Sequence, residues 1–141
     1  MGTIRKEIVI PAPAEEVWKA LRDVGRAHER LTPGVLVDCR MEGDARLVTF
    51  ANGLVVKERI VTIDDAAMRV AYAVVGGPPA HHNASMQVVA EGPRTSRLVW
   101  ISDFLPDEFA RVAAPLIEVG AEAMKKALGQ QPDPSSQDCP G

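Results

Sequence analysis

The sequence predicts an α+β fold: a curved antiparallel sheet of about seven strands, in the order β-α-α-β6-α, wrapped around a long C-terminal helix with a cavity between them. Three observations predict it. Six runs of alternating apolar residues between positions 35 and 105 are joined by short turns, the pattern of an antiparallel meander. Helical signals flank these strands instead of alternating with them, which argues against a parallel α/β sheet. Finally, the segment 106–129 repeats Phe109, Val112, Leu116, Val119, Ala123 and Ala127 at three- and four-residue steps, an apolar stripe along one helix face. That helix would be about 35 Å long, close to the length of a nine- or ten-residue strand, so it can lie across a curled sheet and close its open side.

With 141 residues the chain is long enough for one core without disulfides or metal. We read 1–129 as one ligand-binding domain and 130–141, QQPDPSSQDCPG, as a disordered tail, since it has no period and almost no apolar residues. A net charge of −3 and the lack of any basic stripe argue against nucleic acid as a partner. No apolar run reaches the length of a membrane span. The opening MGTIRKEIVI has no signal-peptide core, and the chain is read as cytoplasmic. Homodimer formation is left open. Cys39 and Cys139 are far apart, are read as reduced thiols, and lack the companions a metal site needs. No cofactor is predicted.

Taken in order, residues 3–10 form a strand with Ile4, Ile8 and Ile10 on one face. Pro13 opens a helix, with Glu15 and Glu16 at the positive end of its dipole, and Gly25 stops it. A short second helix covers 26–31, before the TPG turn. Strand 35–42 points Val35, Val37, Cys39 and Met41 inward. Strand 45–50 follows, and the Asn-Gly pair at 52–53 makes a tight hairpin into strand 54–63. Strands 68–75, 81–91 and 96–105 complete the sheet, the first two separated by the rigid GGPP loop at 76–79. Pro115 lies inside the long helix and is expected to kink or divide it near Arg111, because its ring nitrogen donates no hydrogen bond.

Glu58 is the most informative position. It shares a strand face with Leu54, Val56 and Ile60, while Lys57 and Arg59 share the other. A carboxylate among inward apolar residues must be hydrogen-bonded, paired or protonated. Two readings stay open: a pocket group that meets a ligand or acts as acid or base, and a structural partner of an arginine. His82 has the parity of Ala84, Met86 and Val88, which points it inward near the GGPP loop; a packing role and a functional one are both open. His28 reaches the same mouth on topology alone. Tyr72 faces inward with Met68, Val70 and Val74, and its hydroxyl wants a partner. Trp100 and Asp103 differ in parity, and the heavier apolar set of Leu98, Trp100 and Phe104 is assigned inward. Phe50 and Phe109 are core or pocket aromatics. The predicted cavity lining is Glu58, Tyr72, His82, Met86, Trp100, Phe109 and Leu116, with Glu58 and His82 the candidates for acid/base chemistry. No phosphate loop, GxSxG elbow or HExxH motif occurs.

Three strings resemble the START-like superfamily, also called SRPBCC: VIPAPAEEVWKALRDV at 9–24, GLVVKERIVTIDD at 53–65 and LVWISDFLPDE at 98–108. The group includes the birch-pollen-allergen fold, polyketide cyclase/dehydrase-like proteins and lipid-transfer domains, and the resemblance spans 3–129. It implies a helix-grip fold and a cavity for a small apolar or amphipathic ligand such as a lipid, polyketide or aromatic. The stretch from Glu58 through VVGGPPAHHN is also similar to the plant abscisic-acid receptors, where a matching pocket glutamate meets ligand through water. The strand at 35–42 lacks their lysine, and the ANG hairpin is too short for their gate, so only the pocket and Glu58 carry over. The resemblance also implies two alternatives to simple binding. One is a polyketide cyclase/dehydratase-like enzyme using Glu58 or His82. The other is a protein-interaction or quinone-binding module.

Overall fold

The computed structural model describes residues 2–129. The predicted disordered tail, and Cys139 within it, lie outside the described residues. Strands β1 (Gly2–Ile10), β2 (Leu36–Glu42), β3 (Ala45–Phe50), β4 (Val55–Asp64), β5 (Arg69–Val75), β6 (His81–Gly92) and β7 (Thr95–Leu105) form one curved antiparallel sheet, in the order β1-β7-β6-β5-β4-β3-β2. Helices α1 (Ala14–Arg22) and α2 (Ala27–Arg30) carry the chain from one sheet edge to the other, and α3 (Phe109–Gly129) returns across it.

One end of the concave face is packed solid. Ile8, Ile10, Val17, Leu21, Val70, Val88 and Leu98 meet Met124 and Leu128 of α3 in a single buried cluster. Burial of side chains of this size contributes roughly 1.5–3 kcal/mol each. Helix α1 is also held from outside, because Asp65 after β4 accepts from Trp18 Nε1 at 3.0 Å and from Arg22 Nε at 2.8 Å.

At the other end α3 stands clear of the sheet. Its buried residues are Ile117, Gly120, Ala121, Met124 and Leu128. The predicted stripe is rotated away from them: Val112 is 66% exposed, Leu116 50% and Val119 53%. Both stripes are apolar at helical spacing. They sit one residue apart, a rotation of about 100°, and packing against the sheet selects the one that carries Gly120. Gly120 makes the close approach possible, since a Cβ there would stand 3.2 Å from the Trp100 ring.

Four local expectations are corrected. Val37 falls at a register shift in β2 and is 57% exposed, whereas Met41, paired with Arg46 and set against Gly25, keeps the predicted side of this edge strand while 44% exposed. Cys39 is half-buried on that side, its Sγ donating to the Val24 carbonyl at 3.5 Å. The first helix ends at Arg22, so Gly25 is no cap; it lies in a 3₁₀ turn, Val24–Arg26, where the Met41 side chain leaves little room for a Cβ. The second helix shrinks to Ala27–Arg30. Pro115 leaves α3 undivided from Phe109 to Gly129, because both Pro115 and Arg111 face solvent, where water can serve the carbonyl left without its amide.

Candidate functional site

The gap between α3 and the sheet holds two adjoining chambers that share Phe50, Glu58 and Leu116 in their walls. The inner one, of about 80 Å³, is walled by Arg46, Tyr72, Met86 and Trp100 from the sheet, Thr32 from the turn after α2, and Gly120 and Met124 from α3. The outer one, of about 280 Å³, lies between Val74, His82 and Phe104 on the sheet, the loop Gly76–Pro79, and Phe109, Val112 and Ala113 on α3. The exposed side of α3 is therefore a wall of this space: Val112 and Leu116 look into the outer chamber.

Strand alternation and register build the inner wall. Arg46 and Glu58 are directly paired across β3 and β4, and Val74 is the next residue across on β5. Arg46 Nε donates to Glu58 Oε1 at 2.8 Å, and Nη1 donates to the Val24 carbonyl at 3.1 Å. The guanidinium also lies 5.1 Å from the centre of the Tyr72 ring. Arg46 is only 5% exposed. Burial works against its charge, but the Glu58 carboxylate and the Tyr72 oxygen outweigh it, and its pKa is raised. Burial, followed by the nearby Glu58 charge, lifts the Tyr72 hydroxyl well above the usual tyrosine range, so it stays protonated. The Trp100 indole nitrogen is turned toward Tyr72 but falls short of full hydrogen-bond geometry.

His82 stacks on Phe104 with ring centroids 4.2 Å apart. Burial, then the neighbouring His81, holds its pKa below the ordinary histidine value, which keeps the imidazole neutral at pH 7. On the convex side His81, Asn83, Asp103 and Thr3 form a separate polar chain.

All seven residues of the predicted lining border this space. Tyr72, Met86 and Trp100 border the inner chamber, His82 and Phe109 the outer, and Glu58 and Leu116 both. His28 borders neither; its Nε2 sits 3.3 Å from Glu29. Arg46 and Thr32 were not foreseen. Arg46 has the parity of Val48 and Phe50, and that spacing is the signal that identifies it. Thr32 sits in a turn, where sequence gives no facing. Among the described residues no group of three His, Cys, Asp or Glu side chains could hold a metal ion, and no helix is long and apolar enough to cross a membrane.

A curved sheet gripping a long helix over a lined cavity defines the START-like class of fold. The chain belongs to the family described as polyketide cyclase / dehydrase and lipid transport, whose model matches residues 1–131. It is similar to a Thermobifida fusca protein solved by NMR, with 28% identity over 92% of each chain and a TM-score of 0.76. A START superfamily protein from Mycobacterium smegmatis is 16% identical, with 91% of this chain and 97% of that one covered and a TM-score of 0.72. Norcoclaurine synthase from Thalictrum flavum, in complex with dopamine and hydroxybenzaldehyde, is 18% identical, with 93% and 88% covered and a TM-score of 0.70. No curated protein sequence matches the chain.

Proposed function

We propose that residues 1–129 form a domain that binds a small apolar or amphipathic molecule in the space between the sheet and the N-terminal half of α3. One observation carries this reading. Large apolar side chains of α3, Val112 and Leu116, are left half or more exposed along a cleft instead of being packed. Leaving such surface in water is costly unless something covers it. The outer chamber alone nears the lower end of ligand pockets, about 300 Å³, and its wall is mostly apolar with Glu58 and His82 as fixed polar points. The family's description covers both polyketide cyclases and lipid transport, and chambers of about 80 and 280 Å³ favour a small aromatic or polyketide.

The test is native mass spectrometry of freshly purified protein, followed by melting in a panel of lipids, polyketides and aromatics. A ligand at 100 times its Kd adds about 2.7 kcal/mol and raises the midpoint by about 5–10 °C. A midpoint unmoved by the whole panel, with no co-purified molecule, removes the reading.

A second reading, catalysis, is favoured by His82: a neutral imidazole beside the outer chamber is able to accept a proton from a bound substrate. Glu58 is the weaker candidate, because Arg46 already occupies one of its oxygens. Turnover of a bound polyketide that survives His82→Gln unchanged would exclude the histidine.

A further inference from the structure

We infer that the inner chamber is a blind alcove that gauges length: it admits one short branch, of about two or three non-hydrogen atoms, from a ligand whose body lies in the outer chamber. This rests on the binding reading above and adds the shape of ligand that the site selects.

The two chambers follow one another along the same elements. Phe50 of β3, Glu58 of β4 and Leu116 of α3 belong to both and so mark the junction. On either side of it, the inward positions of each element step from outer wall to inner wall. On β5 the step is from Val74 to Tyr72, on β6 from His82 to Met86, and on β7 from Phe104 to Trp100. On α3 it runs from Leu116 to Gly120 and Met124, about one and two turns further on. Beyond that the space ends. Val70, Val88, Leu98 and Leu128 are the next residues on this side of the same four elements, and all are packed into the core, none more than 4% exposed. A core packed in this way does not admit a further carbon without displacing its neighbours. The alcove therefore has its entrance at Phe50 and Leu116 and a closed end against the core.

Its size sets the gauge. At about 80 Å³ it holds two or three groups of roughly 30 Å³ each, whereas the outer chamber, at about 280 Å³, has room for a pair of fused rings. A branch that enters gains about fourfold in affinity for each methylene it buries, until it meets the closed end. Further atoms must then fold back or push the ring out of the outer chamber. A long acyl chain has nowhere to go. Val48 borders the alcove and not the outer chamber, faces inward beside Phe50, and is 1% exposed, so its side chain limits the space available to the branch.

Five probes with one ring system test this: naphthalene and its 2-methoxy, 2-ethoxy, 2-butoxy and 2-hexyloxy derivatives, each titrated by naphthyl fluorescence. Affinity should rise at least tenfold from naphthalene to the ethoxy compound, gain nothing at butoxy and fall at hexyloxy. Val48→Ala, which removes two methyl groups from the wall, should move the tightest member from ethoxy to butoxy. Val48→Leu, which adds a carbon, should move it to methoxy. The wild-type series decides alone should either variant fail to fold. Affinity that keeps rising through hexyloxy overturns the inference, as does the same tightest member in wild type and folded variants. If the five probes bind alike, the inference falls and the cavity reading survives. If none binds, both fall.

Discussion

Arg46 and Glu58 face each other across β3 and β4, buried and joined at 2.8 Å, so the carboxylate that projects into the cavity does so as half of an ion pair. On the binding reading proposed above, it presents its second oxygen and a balanced charge to the ligand. Removing one partner leaves the other charged and buried. Arg46→Met should cost about 3–5 kcal/mol, whereas replacing both residues with apolar ones should be close to neutral. A urea-denaturation double-mutant cycle measures both. Independent, additive effects would mean the pair is not coupled.

The two sides of α3 should answer differently to substitution. Met124 is 3% exposed and Leu116 is 50% exposed. Met124→Ala should destabilise by about 2–5 kcal/mol. Leu116→Asp should change stability by no more than about 0.5 kcal/mol, yet weaken binding of an apolar ligand at least tenfold. Equal losses of stability would place Leu116 in the core after all.

Gly120 sets the distance between α3 and Trp100. A Cβ at 3.2 Å from the indole ring is tighter than ordinary contact, and a larger group must push the ring into the inner chamber or lift the helix. Gly120→Val should cost about 1–3 kcal/mol and abolish the ligand-induced rise in melting temperature. Retained binding with the wild-type affinity would show that the inner chamber is not used.

Acid should weaken the protein through His82. Burial lowers its pKa in the folded state from 6.5, so below that value the unfolded chain takes up the proton first. The stability it contributes is complete above pH 6.5 and is lost as pH falls through the folded-state value. A ligand that covers the ring strengthens the same preference for the neutral form. Affinity should therefore fall as pH drops below 6.5 and through the folded-state value, and His82→Gln should flatten that part of the profile. The same slope in the variant would assign the effect to other groups.

Much of this was legible in the sequence because strand alternation is strict. Tyr72, Met86 and Trp100 were each placed inward by parity, and Glu58 stood out as a charge on an apolar face. The same rule marks Arg46, through Val48 and Phe50, but only when a lone arginine is tested as an inward residue. Other features obey no local rule. A register shift at Val37 breaks the alternation of an edge strand. The choice between two apolar stripes of α3 depends on Gly120 meeting Trp100, a contact between distant parts of the chain. Thr32 is polar and sits in a turn, so its burial under α3 leaves no trace in sequence.

The most direct test uses the two tryptophans. Trp18 Nε1 is fixed to Asp65 away from the cavity, whereas the Trp100 side chain forms part of the inner chamber's wall. In a ¹⁵N-correlated NMR titration with 2-acetylnaphthalene, the Trp100 indole signal should shift, together with the amides of Glu58, Leu116 and Gly120, while the Trp18 indole stays in place. A Trp100 signal that does not move at saturating ligand, or that moves no more than Trp18, would contradict the account.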